Sequence, residues 1–172
     1  MMKIGVVKEL AADERRVALV PETIKKLAQK KIEVVVQKDA GGRAFFPDAD
    51  YVAAGAKIVD TAAAVYAEAD TLARYSEPDD KEILQMKEGS TLLALLTPLS
   101  NPALIQQLND RKLTVVALDM VPRISMAQSM DVLSSQANIF ENRQRRIRRR
   151  RPRRPGRIPR GKRVLCAPPR PL

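Results

Sequence analysis

Along the first 120 residues, apolar and polar positions alternate between two periods. Short apolar runs recur at "KIGVV" (3–7), "IEVVVQ" (32–37), "AKIV" (56–59), "DTLARY" (70–75), "STLLALL" (90–96) and "LTVVALD" (113–119). Several are rich in β-branched side chains, and none is long enough for a helix, so each reads as a strand. Helical spacing fills the gaps. "VPETIKKLAQKK" (20–31) puts Ile24, Leu27 and Ala28 on one face, with Pro21 suited to a first turn. "PDADYVAAG" (47–55) closes on Gly55, a residue suited to a left-handed cap. "TAAAVYAEA" (61–69) is a third helix, and "DDKEILQMK" (79–87) a fourth, with acids in the first turn where the macrodipole favours them. "NPALIQQLND" (101–110) offers Asn101 as N-cap and Pro102 at the first helical position.

A helix between successive strands requires parallel pairing through right-handed crossovers. Apolar runs without strict alternation suit a sheet covered on both faces. The pattern therefore predicts an α/β fold, an open doubly wound and mainly parallel sheet with helices on both faces. Such sheets bind ligands at the carboxyl ends of their strands, near the point where strand order reverses. The loops of interest follow Val7, Gln37, Tyr75, Leu96 and Asp119.

Charge divides the chain in two. Residues 1–139 carry 17 basic and 19 acidic side chains, whereas residues 140–172 carry 14 basic side chains and a single acid, Glu141. The formal charge of +11 thus belongs to the second segment, which also holds six of the 12 prolines. We expect a domain over 1–139 and a disordered, Arg/Pro-rich tail over 140–172, because self-repulsion and low apolar content leave the ordering entropy uncompensated. The chain has no histidine, and its one cysteine, Cys166, lies in that tail. Histidine acid/base chemistry, a cysteine-based metal site and an intramolecular disulfide are excluded, and no metal site is expected. No apolar run approaches membrane-spanning length and no secretory signal is evident, so the body reads as cytoplasmic.

Three stretches could carry chemistry. "KELAADERRV" (8–17) puts Lys8, Glu9, Glu14, Arg15 and Arg16 just past the first strand. On charge alone, this is a solvated loop with surface ion pairs of little worth. "DAGGRAFFPD" (39–48) contains two glycines that permit positive φ or close backbone approach, but neither phosphate-binding glycine pattern occurs in the chain. A simple glycine turn is the plainer reading. "DMVPRISMAQSMDVLSSQAN" (119–138) follows the sixth strand and brings Arg123, Ser125, Gln128, Ser129, Asp131, Ser134 and Ser135 to the ligand-binding edge. Arginine can pair with phosphate, while Gln and Asp can hold amide and ribose hydroxyl groups. The plainer alternative is a polar loop that caps the next helix through Ser125 or Ser129.

These stretches together resemble the alanine dehydrogenase / nicotinamide nucleotide transhydrogenase family. "VVKE", "DERRVALVPETIKKL", "DAGGRAFFPDADYVAAGA" and "PRISMAQSMDVLSSQANI" carry the likeness, over about residues 2 to 139. The last of these looks like the Arg-Gln-Asp loop of the NAD(H)-binding alpha subunit of proton-translocating NAD(P) transhydrogenase. The resemblance implies that Arg123, Ser125, Gln128, Asp131 and Ser134 contact NAD(H), with Gln128 and Asp131 setting the nicotinamide for hydride transfer. It also implies NADP(H) on a partner domain, membrane and NADP-binding partner subunits, a homodimer, and a cytoplasmic position at the inner face of the membrane. An alanine dehydrogenase would instead need a lysine and a histidine on its oxo acid. Here the expected lysine position in "TLARYSEP" carries Arg74, and histidine is absent.

In that family the helix bearing "SSQANI" leads on to a second, dinucleotide-binding domain. Here it turns into "FENRQRRIRRRRPRRP" in mid-helix. Arg, Pro, Gly and Ala have the most GC-rich codons, so a shifted reading frame is the expected origin of the tail, and the chain is expected to be truncated and inactive alone. The alternative is an α/β binding module with a basic arm. Such an arm would take nucleic acid only non-specifically, by counterion release, because no aromatic follows Phe140 for base stacking.

Overall fold

The six apolar runs form six strands: β1 (Lys3–Val6), β2 (Glu33–Gln37), β3 (Lys57–Val59), β4 (Thr71–Ala73), β5 (Thr91–Ala94) and β6 (Thr114–Ala117). Five helices alternate with them: α1 (Pro21–Gln29), α2 (Asp48–Ala53), α3 (Ala62–Glu68), α4 (Asp80–Gln85) and α5 (Pro102–Asp110). The computed structural model describes residues 2–11, 13–122, 124, 127 and 130–132. All of them belong to one unit, Met1–Leu133. The expected tail over 140–172 lies outside the described residues.

Helix boundaries follow the local chemistry. Pro21 opens α1, and Pro102 opens α5 behind Asn101, whose side chain accepts from the Leu104 N–H at 3.3 Å. Thr61 caps α3 by accepting from Ala64 N–H. Gly55 closes α2 at φ +93, the left-handed position that only glycine adopts without strain. The strands are shorter than the apolar runs. Arg74 lies beyond the end of β4, although its N–H still donates to Leu93 O at 2.9 Å.

All pairings are parallel, in the order β3-β2-β1-β4-β5-β6. The chain winds outward from β1 to β3, returns to β4 beside β1, then winds the other way. Strand order reverses between β1 and β4, where Val6 pairs with Ala73. The core lies in two layers. On one face Val65 and Tyr66 of α3, Ile83 and Met86 at α4, and Leu104 and Leu108 of α5 pack on Leu72, Leu92 and Ala94. On the other, Ile24 of α1 and Tyr51 of α2 pack on Val6, Val34 and Val36. Helices thus cover both faces of β1–β3. Among the described residues none covers the second face of β5 and β6, where Val116 is 41% exposed.

Candidate functional site

Each neighbouring pair of strands around the reversal, and on to β6, is tied together just past its carboxyl ends by a side chain. Gln37, ending β2, accepts from Lys8 N–H beyond β1 at 2.9 Å. Glu9, beyond β1, accepts from Tyr75 N–H beyond β4 at 2.6 Å, and from the N–H and hydroxyl of Ser76. Glu77, beyond β4, accepts from the Thr97 hydroxyl at 2.6 Å and from Asn101 Nδ2 at 3.3 Å, both beyond β5. Asp119, beyond β6, accepts from Leu96 N–H at 3.1 Å. The edge where doubly wound sheets bind ligands is therefore a fixed rim.

The rim is deepest at the reversal. Arg74 is 4% exposed and lies between two carboxylates that are also buried, Glu9 and Glu82. Arg74 Nη1 donates to Glu82, and Nη2 stands 3.5 Å from Glu9 Oε2. Glu82 is held from behind by the Tyr66 hydroxyl at 2.9 Å and by Asp79 N–H at 2.9 Å. Burial acts to lower the Arg74 pKa, but the hydrogen bond to Glu82 and the charges of Glu82 and Glu9 outweigh it and leave the pKa raised. Burial, aided by the Glu82 and Glu9 charges, also pushes the Tyr66 phenol well above its usual range. Arg74 Nε is buried with no hydrogen-bond partner among the described residues. A cavity of about 410 Å³ opens beside this cluster, lined by Leu10, Arg74, Ser76, Glu77, Asp79 and Glu82.

Within residues 8–17 this corrects the solvated-loop reading at Glu9, while Leu10, Ala11, Asp13, Arg15 and Arg16 are exposed. Glu9 is 4% exposed, its carboxylate turned inward onto the backbone of Tyr75 and Ser76. The rest of the loop folds over the exit of β4. Arg16 lies over the Tyr75 ring at 3.7 Å from its centroid and donates to the Tyr75 hydroxyl. Glu14 accepts from Arg16 Nε at 2.7 Å and from Arg16 N–H at 2.8 Å. Arg43 reaches over from the glycine turn and donates to Ala11 O at 2.9 Å. In that turn neither glycine takes positive φ; Asp39 and Phe45 do. Gly41 is instead a point of close approach, since a Cβ there would stand 2.5 Å from Tyr51 Cε2.

Past β6, residues 118–120 form a turn of 3-10 helix, and Pro122 follows. Of the candidate cofactor contacts, Asp131 is part-buried, between the exposed Met130 and the part-buried Val132. Arg123, Ser125, Gln128 and Ser134 lie outside the described residues, as does the alternative cap Ser129. The sequence reading missed Glu9, Glu77, Glu82 and Asp119 as organisers of the edge, and it noted Arg74 only as a departure. The available signal was a charge placed directly after an apolar run, in "VVKE", "TLAR" and "VVALD".

Comparison with known proteins agrees with this architecture. Residues 5–140 match the family model described as "Alanine dehydrogenase/PNT, N-terminal domain". The NAD(P) transhydrogenase subunit alpha of Haemophilus influenzae is 44% identical over 138 residues, which cover 80% of this chain and 27% of that protein. Alanine dehydrogenase 2 of Staphylococcus aureus is 37% identical over 120 residues, covering 70% of this chain and 32% of that one. The crystal structure of transhydrogenase from Sinorhizobium meliloti superposes with a TM-score of 0.76 at 37% identity, covering 80% of this chain and 41% of that one. The chain thus spans about a quarter to two-fifths of the length of these relatives. A parallel six-stranded sheet reversing between β1 and β4, matched by the family model over most of its length, identifies the chain as a member of the alanine dehydrogenase/PNT N-terminal domain family.

Proposed function

We propose that this chain supplies the amino-terminal part of the NAD(H)-binding alpha subunit of a proton-translocating NAD(P) transhydrogenase. In the assembled enzyme, hydride passes directly between NADH and NADP(H), the latter held on a partner domain. Direct hydride transfer needs no side chain as acid or base, only two rings brought to near-attack distance. A chain without histidine suits that chemistry. Arg123, Ser125, Gln128, Asp131 and Ser134 are the proposed NAD(H) contacts, with Gln128 and Asp131 orienting the nicotinamide. The partners are the membrane and NADP-binding subunits, the assembly is a homodimer, and it works at the cytoplasmic face of the membrane.

The observation that carries this reading is the exit of β6. Asp119 fastens it to Leu96, so the polar stretch that follows starts from the same rim of the sheet, at the edge strand two places from β4. The test uses a complete transhydrogenase alpha subunit in which residues 5–140 of this chain replace the corresponding segment. The graft should support hydride transfer from NADH. Gln128→Asn in the graft should slow transfer by about a hundredfold, because a small misplacement of reacting groups costs that much. NADH affinity and melting temperature should stay unchanged. A normal transfer rate with a lowered melting temperature would mean that the stretch only caps a helix.

A further inference from the structure

Among the described residues, seven of 11 lysines form ion pairs with a carboxylate. Four form none. Three of those four, Lys25, Lys30 and Lys31, lie within seven positions on α1 and its exit, and the fourth, Lys81, stands apart on α4. The acids nearest in sequence are already engaged, Glu22 with Lys26 at 3.0 Å and Glu33 with Lys3 at 3.5 Å. The result is a positive face on a body whose residues 1–139 hold 17 basic and 19 acidic side chains.

Helix architecture does not account for this face. Ile24 packs into the core and leaves Lys25, Lys26 and Lys30 exposed. The macrodipole favours cations in the last turn, whereas Lys25 lies in the middle of Pro21–Gln29. Lys31 takes φ +60, the left-handed position that Gly55 fills after α2, so a lysine stands there against backbone strain. Lys30 and Lys31 directly precede β2, at the amino edge of the sheet and opposite the rim. Met2 is beside them, 50% exposed, its carbonyl accepting from Glu33 N–H at 3.3 Å.

We propose that Lys25, Lys30 and Lys31, with Met2 beside them, form a docking surface for an anionic lipid bilayer. Lysine suits that partner. It is a hydrated point charge on a flexible stem, matched to a diffuse layer of phosphate headgroups rather than to one bidentate anion. Met2 gives the patch an apolar side chain for the headgroup boundary. No aromatic residue lies within 20–33 to stack on nucleic-acid bases. Docked in this way, the amino edge of the sheet faces lipid and the carboxyl edge faces solvent. The inference goes beyond the nucleotide reading and does not depend on it, because the patch and the rim share no residue.

The test compares three 172-residue proteins by cosedimentation with vesicles of phosphatidylcholine containing about one-third phosphatidylglycerol. They are the unaltered chain, Lys25→Gln/Lys30→Gln/Lys31→Gln, and a charge-matched control, Lys38→Gln/Lys81→Gln/Lys112→Gln. The control also replaces one left-handed lysine, Lys112 at φ +56. The basic residues of 140–172 are common to all three and cancel from the comparison. The α1 set should weaken partition about a hundredfold, since each lysine at an anionic surface contributes about a factor of five. The control should weaken it less than about threefold, because charges beyond a Debye length are screened. Lys25→Gln alone, expected to weaken partition about fivefold, replaces the triple variant should that not fold. Equal losses in the α1 set and the control would overturn the proposal, since net charge alone would then be read. So would unchanged partition of a folded α1 variant. A loss on poly(U) as large as that on vesicles, confined to the α1 set, would make the face a general polyanion surface and also overturn it.

Discussion

Past β1 and β4, the chain invests charged side chains in internal contacts: Glu9 with Arg74, Arg74 with Glu82, and Arg16 with Tyr75. Past β6, Asp119 accepts from Leu96 N–H, and the sequence then turns to amides and hydroxyls, with Arg123 and Asp131 as the charged exceptions. Both begin at the carboxyl ends of strands in one parallel sheet. The difference separates two uses of polar residues near a ligand-binding edge. Opposite charges that meet where strand order reverses fix the edge, because a buried ion must be paired.

The comparison breaks first at Arg74. Arg74→Leu leaves Glu9 and Glu82 buried and unpaired, and it should cost about 3–5 kcal/mol in urea denaturation. Replacing all three residues by neutral ones of similar size (Glu9→Gln, Arg74→Met, Glu82→Gln) should recover much of that loss, since desolvation of the ions disappears with their attraction. If Arg74→Leu costs less than about 1 kcal/mol, the value of an ordinary surface change, the cluster does not hold the rim.

Tyr51 sharpens the comparison from below. It is fully buried, and its hydroxyl donates to Leu19 O at 3.0 Å, anchoring the far end of the loop that begins at Lys8. Burial, with smaller contributions from Asp48 and Asp50, raises its pKa to about 12. A raised pKa means that the unfolded state ionises first. The contribution to stability is therefore complete below pH 10 and is lost as pH rises towards 12. The loss should reach at most about 2 kcal/mol, and Tyr51→Phe should abolish that part of the alkaline dependence while costing about 1 kcal/mol at neutral pH. Tyrosinate absorbance against pH, read beside the denaturation midpoint, checks both.

Asp119 tests the β6 side. Asp119→Ala removes the acceptor for Leu96 N–H and should cost about 1 kcal/mol, whereas Asp119→Asn keeps an oxygen there and should cost less. In the grafted transhydrogenase, Asp119→Ala should also lower hydride transfer, if the β6 exit aims the stretch that follows. An effect on stability alone would reduce Asp119 to a clamp.

The sequence foretold the alternation of elements, the parallel sheet and most of the helix ends, because those are local. Pro21, Gly55, Asn101 and Pro102 each act within a turn of their own position. What it could not show was which strand lies beside β1. Glu9 and Arg74 are 65 positions apart, and only the β1–β4 pairing brings them together. Read one at a time, Glu9 was a loop charge and Arg74 an odd residue in an apolar run. The fixed rim is a product of strand order, and strand order is not written in periodicity. The stretch after β6 differs, because its candidate contacts rest on the sequence alone and Arg123, Ser125, Gln128 and Ser134 lie outside the described residues. Its signal is a local string of residue types, readable before any packing is known.

The smallest expected effect lies at Glu14, where the ordered loop meets water. Its carboxylate accepts three hydrogen bonds from Arg16, and the Arg16 side chain remains 48% exposed. The side-chain bond from Arg16 is the main cause that holds the Glu14 pKa below its usual value, with partial burial opposing it. A lowered carboxylate pKa stabilises the fold above the unfolded value, near 4.5, and that stabilisation is lost as pH falls through the folded value. Because water screens the pair, Glu14→Gln should cost only a few tenths of a kcal/mol, up to about 1, at neutral pH. The two proteins should converge in acid, where Glu14 is protonated in both folded and unfolded chains, and added salt should shrink the gap. A gap of several kcal/mol at neutral pH, insensitive to salt, would place Glu14 with Glu9 among the buried charges. The boundary between fixed rim and solvated loop would then move outward past Glu14.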